Sequence, residues 1–459
     1  MIISKKPDKP IKILITNSHA DNRGDEAAQR SLINTISSLL PNVEFTVLTT
    51  SPQGLDLPSQ VQVIETFTAT NKNFFLLSLW TIFRSWGLKL PTFGKGQNIF
   101  TALEKIATAD IIISAPGGPY FGELYPSHEI GEHLFHLYLS KILKKPLMIY
   151  GPSMGPFKSL YRNRLRKYLL NKADIISLRD HISQKYLSEL KLKHPLIYLS
   201  ADSAFQDKIK FNEEKIKEIM KSEKIIASPD TVHGPLIGIT PTGERWNFPQ
   251  AKDPKKEQQT YNQTMAKTID YLINKFKATI VFFPQLYGNS SDIPLIKDII
   301  KLVDNPLAVK ILSPQWDSET QQAIIAHLDL FIGNRYHSII FSLNQNIPVV
   351  GLAYEHKSTG VMQAAKLDDF VIQINDLTYD TLIEKINLAL TKKNEIKEQL
   401  IIQVETIRKK ALVNSILALA LIKYSVQNSF KKENLKTTID KLMQEFQEGK
   451  LPLYEKNKG

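Results

Sequence analysis

Asp329-Leu330-Phe331-Ile332-Gly333-Asn334-Arg335-Tyr336-His337-Ser338 is the stretch around which the rest of the chain is read. A helical apolar pattern over 323–328 leads into a short apolar run that stops at Gly333-Asn334. A second helical pattern follows from Ile339 to Leu343, so the order is strand, turn, helix. Gly333 allows a tight turn, and Asn334 is predicted to N-cap the helix behind it. Arg335 and His337 then fall where free backbone N–H groups and the positive end of the helix dipole favour an anion. A permanent cation near a titratable imidazole suits a phosphate or carboxylate. The alternative is an Arg that pairs with a surface carboxylate and a His that caps the core.

Outward from this stretch, 459 residues exceed what one ordinary core holds, so two domains are expected. A mix of 42% hydrophobic and 23% charged residues is that of a soluble globular protein. Lys+Arg 58 against Asp+Glu 46 gives +12, which favours anionic partners such as phosphorylated metabolites or anionic lipid. No basic block interleaved with aromatics appears, so nucleic acid is not an expected partner. With Cys 0, disulfides, thiolate catalysis and cysteine-bound zinc drop out together. The N-terminus has no signal-peptide pattern, and no run reaches the ~18 apolar residues of a membrane span. A cytoplasmic protein is expected.

The chain opens with an apolar strand at Ile11 to Thr16, a polar loop and a helical pattern from Glu26 to Leu40. Strand patterns follow at Val43 to Leu48 and Val61 to Ile64, an α/β beginning. The first loop reads Asn22-Arg23-Gly24-Asp25 and lacks GxGxxG, which argues against a nicotinamide or flavin dinucleotide site. Later strands end in Pro116-Gly117-Gly118-Pro119, in Gly151-Pro152-Ser153-Met154-Gly155-Pro156 and in Arg179-Asp180. In parallel sheets such loops gather along the ligand-binding edge. A second α/β unit begins at Leu236 to Thr240 and runs through strand patterns to Phe370–Ile374.

Two segments stand apart. Phe74 to Leu90 carries Ser78, Thr81, Ser85 and Lys89 at helical spacing within an otherwise apolar stretch that includes Trp80 and Trp86. Burial under a neighbour is one reading. The other is a helix lying in a membrane surface, with Lys72, Arg84 and Lys89 near the headgroups. His128, His133 and His136 share one predicted helix but read as surface or core residues; nothing has metal-ligand spacing, and no metal is expected.

These motifs together resemble the polysaccharide pyruvyl transferases, enzymes that move the enolpyruvyl unit of phosphoenolpyruvate onto sugar hydroxyls to make a pyruvate ketal. The likeness runs through residues 11–375. It rests on Asn22-Arg23-Gly24-Asp25, Pro116-Gly117-Gly118, Tyr150 to Pro156, Ser177-Leu178-Arg179-Asp180, Ala201-Asp202-Ser203-Ala204-Phe205, Phe283-Pro284-Gln285, Arg335-Tyr336-His337 and Ala353-Tyr354-Glu355-His356-Lys357. It implies two Rossmann-like domains facing across a cleft, GT-B-like. The expected division is an acceptor-side domain over 1–230 and a donor-side domain over 231–378. C-terminal helices over 379–425 would pack back toward the first domain, and 426–459 would be a polar tail.

The resemblance also implies a donor site. Arg179 and Arg335 would each grip phosphoenolpyruvate through bidentate bonds, and Lys357 would sit where the leaving phosphate gathers charge. Gly24, Asp25, Gly117, Gly118 and Asn334 complete the expected binding set. His337 is the expected proton carrier, with Arg335 beside it and Asp25, Asp180 and Asp202 as unranked carboxylate candidates. The acceptor would be a glycan or lipid-linked sugar, with peripheral contact to an anionic membrane and phosphoenolpyruvate as a co-substrate rather than a cofactor. The rival readings are a nucleotide-sugar glycosyltransferase, with Glu355 on a ribose, and an inactive envelope-assembly protein of the same fold.

Overall fold

The computed structural model describes residues 9–19, 21–49, 52, 55–66, 74–88, 97–118, 121–123, 129–226, 234–426, 432–451 and 453. The first sheet holds β1 (Ile11–Ser18), β2 (Val43–Thr49), β3 (Gln62–Glu65), β4 (Ile111–Ser114), β5 (Leu147–Ile149), β6 (Ile175–Leu178) and β7 (Leu196–Leu199). Their order is β3-β2-β1-β4-β5-β6-β7, paired in parallel. The second sheet holds β8 (Leu236–Thr240), β9 (Thr279–Phe282), β10 (Val309–Ile311), β11 (Leu330–Gly333), β12 (Val349–Ala353) and β13 (Val371–Gln373). It runs β10-β9-β8-β11-β12-β13, again parallel. Each sheet therefore reverses direction once, between β1 and β4 and between β8 and β11. Such switch points leave a crevice at the carboxyl ends of the strands, where open α/β sheets take ligands.

The strand patterns read from sequence are present, and one strand is added. The four residues of β7 are half-exposed or exposed at the sheet edge, so β7 lacks the continuous apolar run of its neighbours. Inside the first sheet, side chains alternate between two cores as the period of two demands. Ile13, Ile15 and Ile113 face a cluster with Leu32, Ile36 and residues 416–422, while Leu14 and Ile112 face Leu103, Ile106 and Trp80.

The chain forms two compact units, one of residues 1–20, 25–207 and 408–459, the other of 21–24 and 208–407. The border thus falls ahead of the expected 230, and Tyr379–Thr391 stays with the second unit. The helix Lys393–Val426 is continuous through the second border. Within the expected polar tail, the described residues include a packed element. Lys432–Gln447 is a helix, and Leu435, Ile439 and Leu442 are buried in the first unit's core. Their spacing of four and three gives an apolar stripe, worth ~1.5–3 kcal/mol per fully buried side chain. Lys436, Thr437, Thr438, Asp440 and Lys441 between them mask the stripe in composition.

Candidate functional site

The turn after β11 is built to hold two functional side chains in place. Asn334 does not cap the helix that follows. It is fully buried, and its amide donates to the Leu352 carbonyl (2.8 Å) while its side-chain oxygen accepts from Asn247 (3.1 Å). Those bonds fix the end of β11 to β12, so the helix starts one residue later, as Tyr336–Asn344, with Arg335 in extended backbone at the N-cap. Asn334 is therefore a structural clamp for this turn. Arg335 also lies off the helix, so the divergence expected of helical residues two apart does not apply to Arg335 and His337.

Arg335 is buried and donates through Nη2 to Asp292 Oδ1 at 2.5 Å. Asp292 takes its other bonds from the backbone N–H groups of Gln285 and Leu286, each at 2.9 Å. Although burial pulls the Arg335 guanidinium pKa down, Asp292 and Tyr354 more than offset it and hold the charge firmly. Arg335 Nε is buried with no hydrogen-bond partner among the described residues. Lys357, in the first turn of the helix His356–Ala364, pairs with Glu355 (2.9 Å) and lies 5.7 Å from the centre of the Tyr336 ring.

The Asn22-Arg23-Gly24 segment, where the helix Arg23–Leu39 begins, belongs to this same unit. It runs antiparallel to 285–287, with Tyr287 N–H donating to the Asp21 carbonyl (3.0 Å) and Arg23 N–H to the Gln285 carbonyl (3.1 Å). That pairing brings Gly24 against His337, leaving no room for a side chain at 24. It also buries Arg23, whose guanidinium stacks 4.5 Å above Tyr287 and donates to the Pro314 carbonyl (2.9 Å). Sequence reasoning assigns Arg23 no role; the Phe283-Pro284-Gln285 motif, whose Gln285 carbonyl accepts from Arg23 N–H, is the partner that places it.

The first unit carries its own cluster at the carboxyl ends of β5, β6 and β7. Arg179 is buried and donates to Asp202 Oδ2 (2.5 Å) and to Ser153 Oγ (2.8 Å). Ser153 in turn donates to Asp180 Oδ2 (2.9 Å). Asp180 N-caps the helix His181–Glu189 through Ser183 N–H at 2.7 Å, and Asp202 Oδ1 accepts from Ala204 N–H. Of the carboxylate candidates, Asp180 is thus a cap and Asp202 an ion-pair partner. Asp25 is buried in the first turn of the helix Arg23–Leu39. Gly117 adopts φ +143 after β4, and its carbonyl accepts from Ser153 N–H, with Gly118 next to it.

His136 is buried and bonded to Asn17 Oδ1 (3.0 Å), and burial pushes its pKa down to about 4, so it is neutral core as expected. His133, however, faces His19 from the end of β1, with Nε2 atoms 3.3 Å apart. His128, Lys72 and Lys89 lie outside the described residues. In the helix Phe74–Ser85 the expected polar stripe is turned inward. Ser78 and Thr81 are buried with Leu77 and Trp80, and Thr81 is satisfied by the Leu77 carbonyl (2.7 Å). Trp80 packs on Phe100, while Phe83, Trp86 and Leu88 remain exposed.

Residues 22–356 match the family described as polysaccharide pyruvyl transferase, a span that holds both arginine clusters. The chain belongs to this family. Membership places it among transferases of polysaccharide biosynthesis. The amylovoran biosynthesis protein AmsJ of Erwinia amylovora is 23% identical over 428 residues, covering 89% of this chain and 98% of that protein. Solved structures of like fold include a putative UDP-N-acetylglucosamine 2-epimerase from Listeria monocytogenes (13% identical, TM-score 0.56, 92% of this chain and 98% of that one). Anabaena Alr3699/HepE in complex with UDP-glucose is a second (14% identical, TM-score 0.54, 87% and 98%). These likenesses show the fold of this pyruvyl transferase family member: two Rossmann-like domains of GT-B type. Among the described residues, no helix is long and apolar enough to cross a membrane.

Proposed function

We propose that this chain transfers the enolpyruvyl unit of phosphoenolpyruvate to hydroxyls of a glycan or lipid-linked sugar, closing a pyruvate ketal and releasing phosphate. The supporting observation is the turn after β11, where a permanently charged, buried Arg335 keeps Nε without a partner at a sheet switch point, beside His337. A buried unsatisfied donor costs about 1–3 kcal/mol, and an anionic ligand would recover it. Phosphoenolpyruvate offers a phosphate and a carboxylate on one small skeleton. Arg335 takes one of them, Lys357 steadies charge on the leaving phosphate, and Arg179 is assigned as a further donor-binding cation. His337 delivers the proton that C3 gains as a sugar hydroxyl attacks C2; loss of phosphate and closure by the second hydroxyl complete the ketal. Gly24, Asp25, Gly117 and Gly118 belong to the proposed binding surface through backbone approach and charge.

A structurally similar protein has been solved with UDP-glucose, so the rival is a nucleotide-sugar donor. Thermal shift separates them, because a ligand that binds only the folded state stabilises by RT ln(1 + [L]/Kd). Phosphoenolpyruvate should raise the midpoint and UDP-sugars should leave it unchanged; the reverse pattern removes the proposal.

The proposal extends to peripheral contact with an anionic membrane, where a lipid-linked acceptor would be met. Its support is the helix Leu160–Leu170 rather than 74–90. Leu160, Tyr161, Leu165 and Tyr168 are exposed, and Lys158, Arg162, Arg164, Lys167 and Lys172 surround them with no acidic residue between 158 and 172. Each basic residue near an anionic surface adds ~1 kcal/mol. In 74–88 the one described cation, Arg84, is already paired with Glu104 (2.6 Å).

A further inference from the structure

At the switch point of the first sheet lies a group of side chains that the proposed transfer does not use. His19 follows β1 directly, at the carboxyl end of that strand. Glu132 and His133 come from far along the chain, within Glu129–Leu134, one turn of π-helix that runs straight into the α-helix Phe135–Ile142. Such widened turns are rare and concentrate at functional sites, because the extra residue re-aims its neighbours. Here it brings two adjacent side chains, Glu132 and His133, toward one point. Both are buried, whereas His19 is half-buried, so the group is approached from the His19 side.

The geometry is that of shared ligation. The Nε2 atoms of His19 and His133 are 3.3 Å apart, with the rings nearly perpendicular at 88°. Two imidazole nitrogens bound to one tetrahedral ion at ~2.0–2.1 Å stand about 3.3–3.4 Å apart, so the spacing needs no rearrangement. A donor atom from each of His19, Glu132 and His133 lies within 4.8 Å of the other two. A buried carboxylate beside two imidazoles is costly as an isolated charge but favourable around a dication. Two nitrogens and one oxygen suit zinc, cobalt, nickel or iron; calcium and magnesium prefer oxygen throughout.

We propose that His19, Glu132 and His133 form a binding site for one divalent transition-metal ion, held by two imidazole nitrogens and a carboxylate, with at least one coordination position that no described residue fills. Three protein ligands with an open position is the pattern of ions that bind or activate an oxygen of a second molecule, whereas structural sites are closed by four. The site is independent of the donor reading, since none of its three residues belongs to that set.

The test uses the full chain, stripped with a chelator and titrated with Co2+, whose visible bands report coordination. One equivalent should bind per chain and be displaced by Zn2+. His19→Gln and Glu132→Gln should each weaken binding at least about tenfold to a hundredfold, since loss of a direct ligand costs no less than loss of its support. The exposed His181→Gln, changed as a control, should bind like wild type. His133→Ala is buried enough to disturb folding, so the half-buried His19 carries the decision, with circular dichroism confirming a native fold. Absence of stoichiometric binding, wild-type binding by His19→Gln, or equal loss in His181→Gln would each overturn the site and leave His19 and His133 as a hydrogen-bonded pair.

Discussion

A Cβ placed on Gly24 would come within 1.9 Å of the His337 ring, so Gly24 lies flat against the imidazole. Its backbone is not in the left-handed region, and the requirement is for space alone. Gly24→Ala must therefore push the ring aside. Overpacking of this kind costs ~1–3 kcal/mol, and a displacement of about 1 Å at a reacting group costs about a hundredfold in rate. The expected outcome is a modest drop in melting temperature with a much larger drop in turnover. Unchanged turnover would mean that the His337 position does not matter to the chemistry.

His337→Asn keeps a polar group of similar size but cannot exchange a proton near neutral pH. Turnover should fall ~10²–10⁴-fold with phosphoenolpyruvate affinity largely kept. Poor binding with normal turnover at saturation would reassign His337 as a binding residue.

Removing Arg335 alone leaves Asp292 as a buried uncompensated charge, which costs ~3–5 kcal/mol of stability. The informative variant is the double change Arg335→Met with Asp292→Leu, which should retain much more stability. Its phosphoenolpyruvate affinity, measured by calorimetry, should still fall about tenfold to a hundredfold, equivalent to ~1.5–3 kcal/mol of charge-assisted bonding. Arg179 with Asp202 calls for the same design, tested separately. Wild-type affinity in a stable double variant would dismiss that arginine from the donor set.

Trp80→Ser and Leu165→Ser with Tyr168→Ser should separate core from surface. Trp80 is 6% exposed and packed on Phe100, so its loss should cost on the order of 3–5 kcal/mol. Leu165 and Tyr168 are exposed, and their loss should leave the melting curve in place while weakening salt-sensitive sedimentation with anionic vesicles. If the surface variant sediments like wild type, the helix Leu160–Leu170 is not the membrane face.

The strands were legible because buried parallel strands leave continuous apolar runs, and β7 was missed because an edge strand need not. The site was legible as a set of motifs and illegible as a network. Arg335 and His337 follow from a strand-turn-helix pattern, but nothing local says that Asn334 is spent on Leu352 and Asn247, which moves the helix start. Nor does local pattern show that Asp21 to Arg23 are laid along Gln285 to Tyr287, a pairing across more than 260 residues of chain that sets the next residue, Gly24, against His337. His19 and His133, 114 residues apart, are invisible to any search for ligand spacing along a helix.

The burial of residues 416–422 and of Leu435, Ile439 and Leu442 on one face of the first sheet bears on how the protein is made. Translation delivers β1 to β7 first, with Leu32, Ile33 and Ile36 already on that face, yet its cover stays incomplete until residues 416–442 have been made. The second unit, apart from 21–24, is one uninterrupted stretch, 208–407, and is complete before then. Domains usually mature in the order of synthesis. Here the first-made sheet waits for helices made after the second unit, so a truncation ahead of Lys393–Val426 would strip the oldest part of the nascent chain of part of its core.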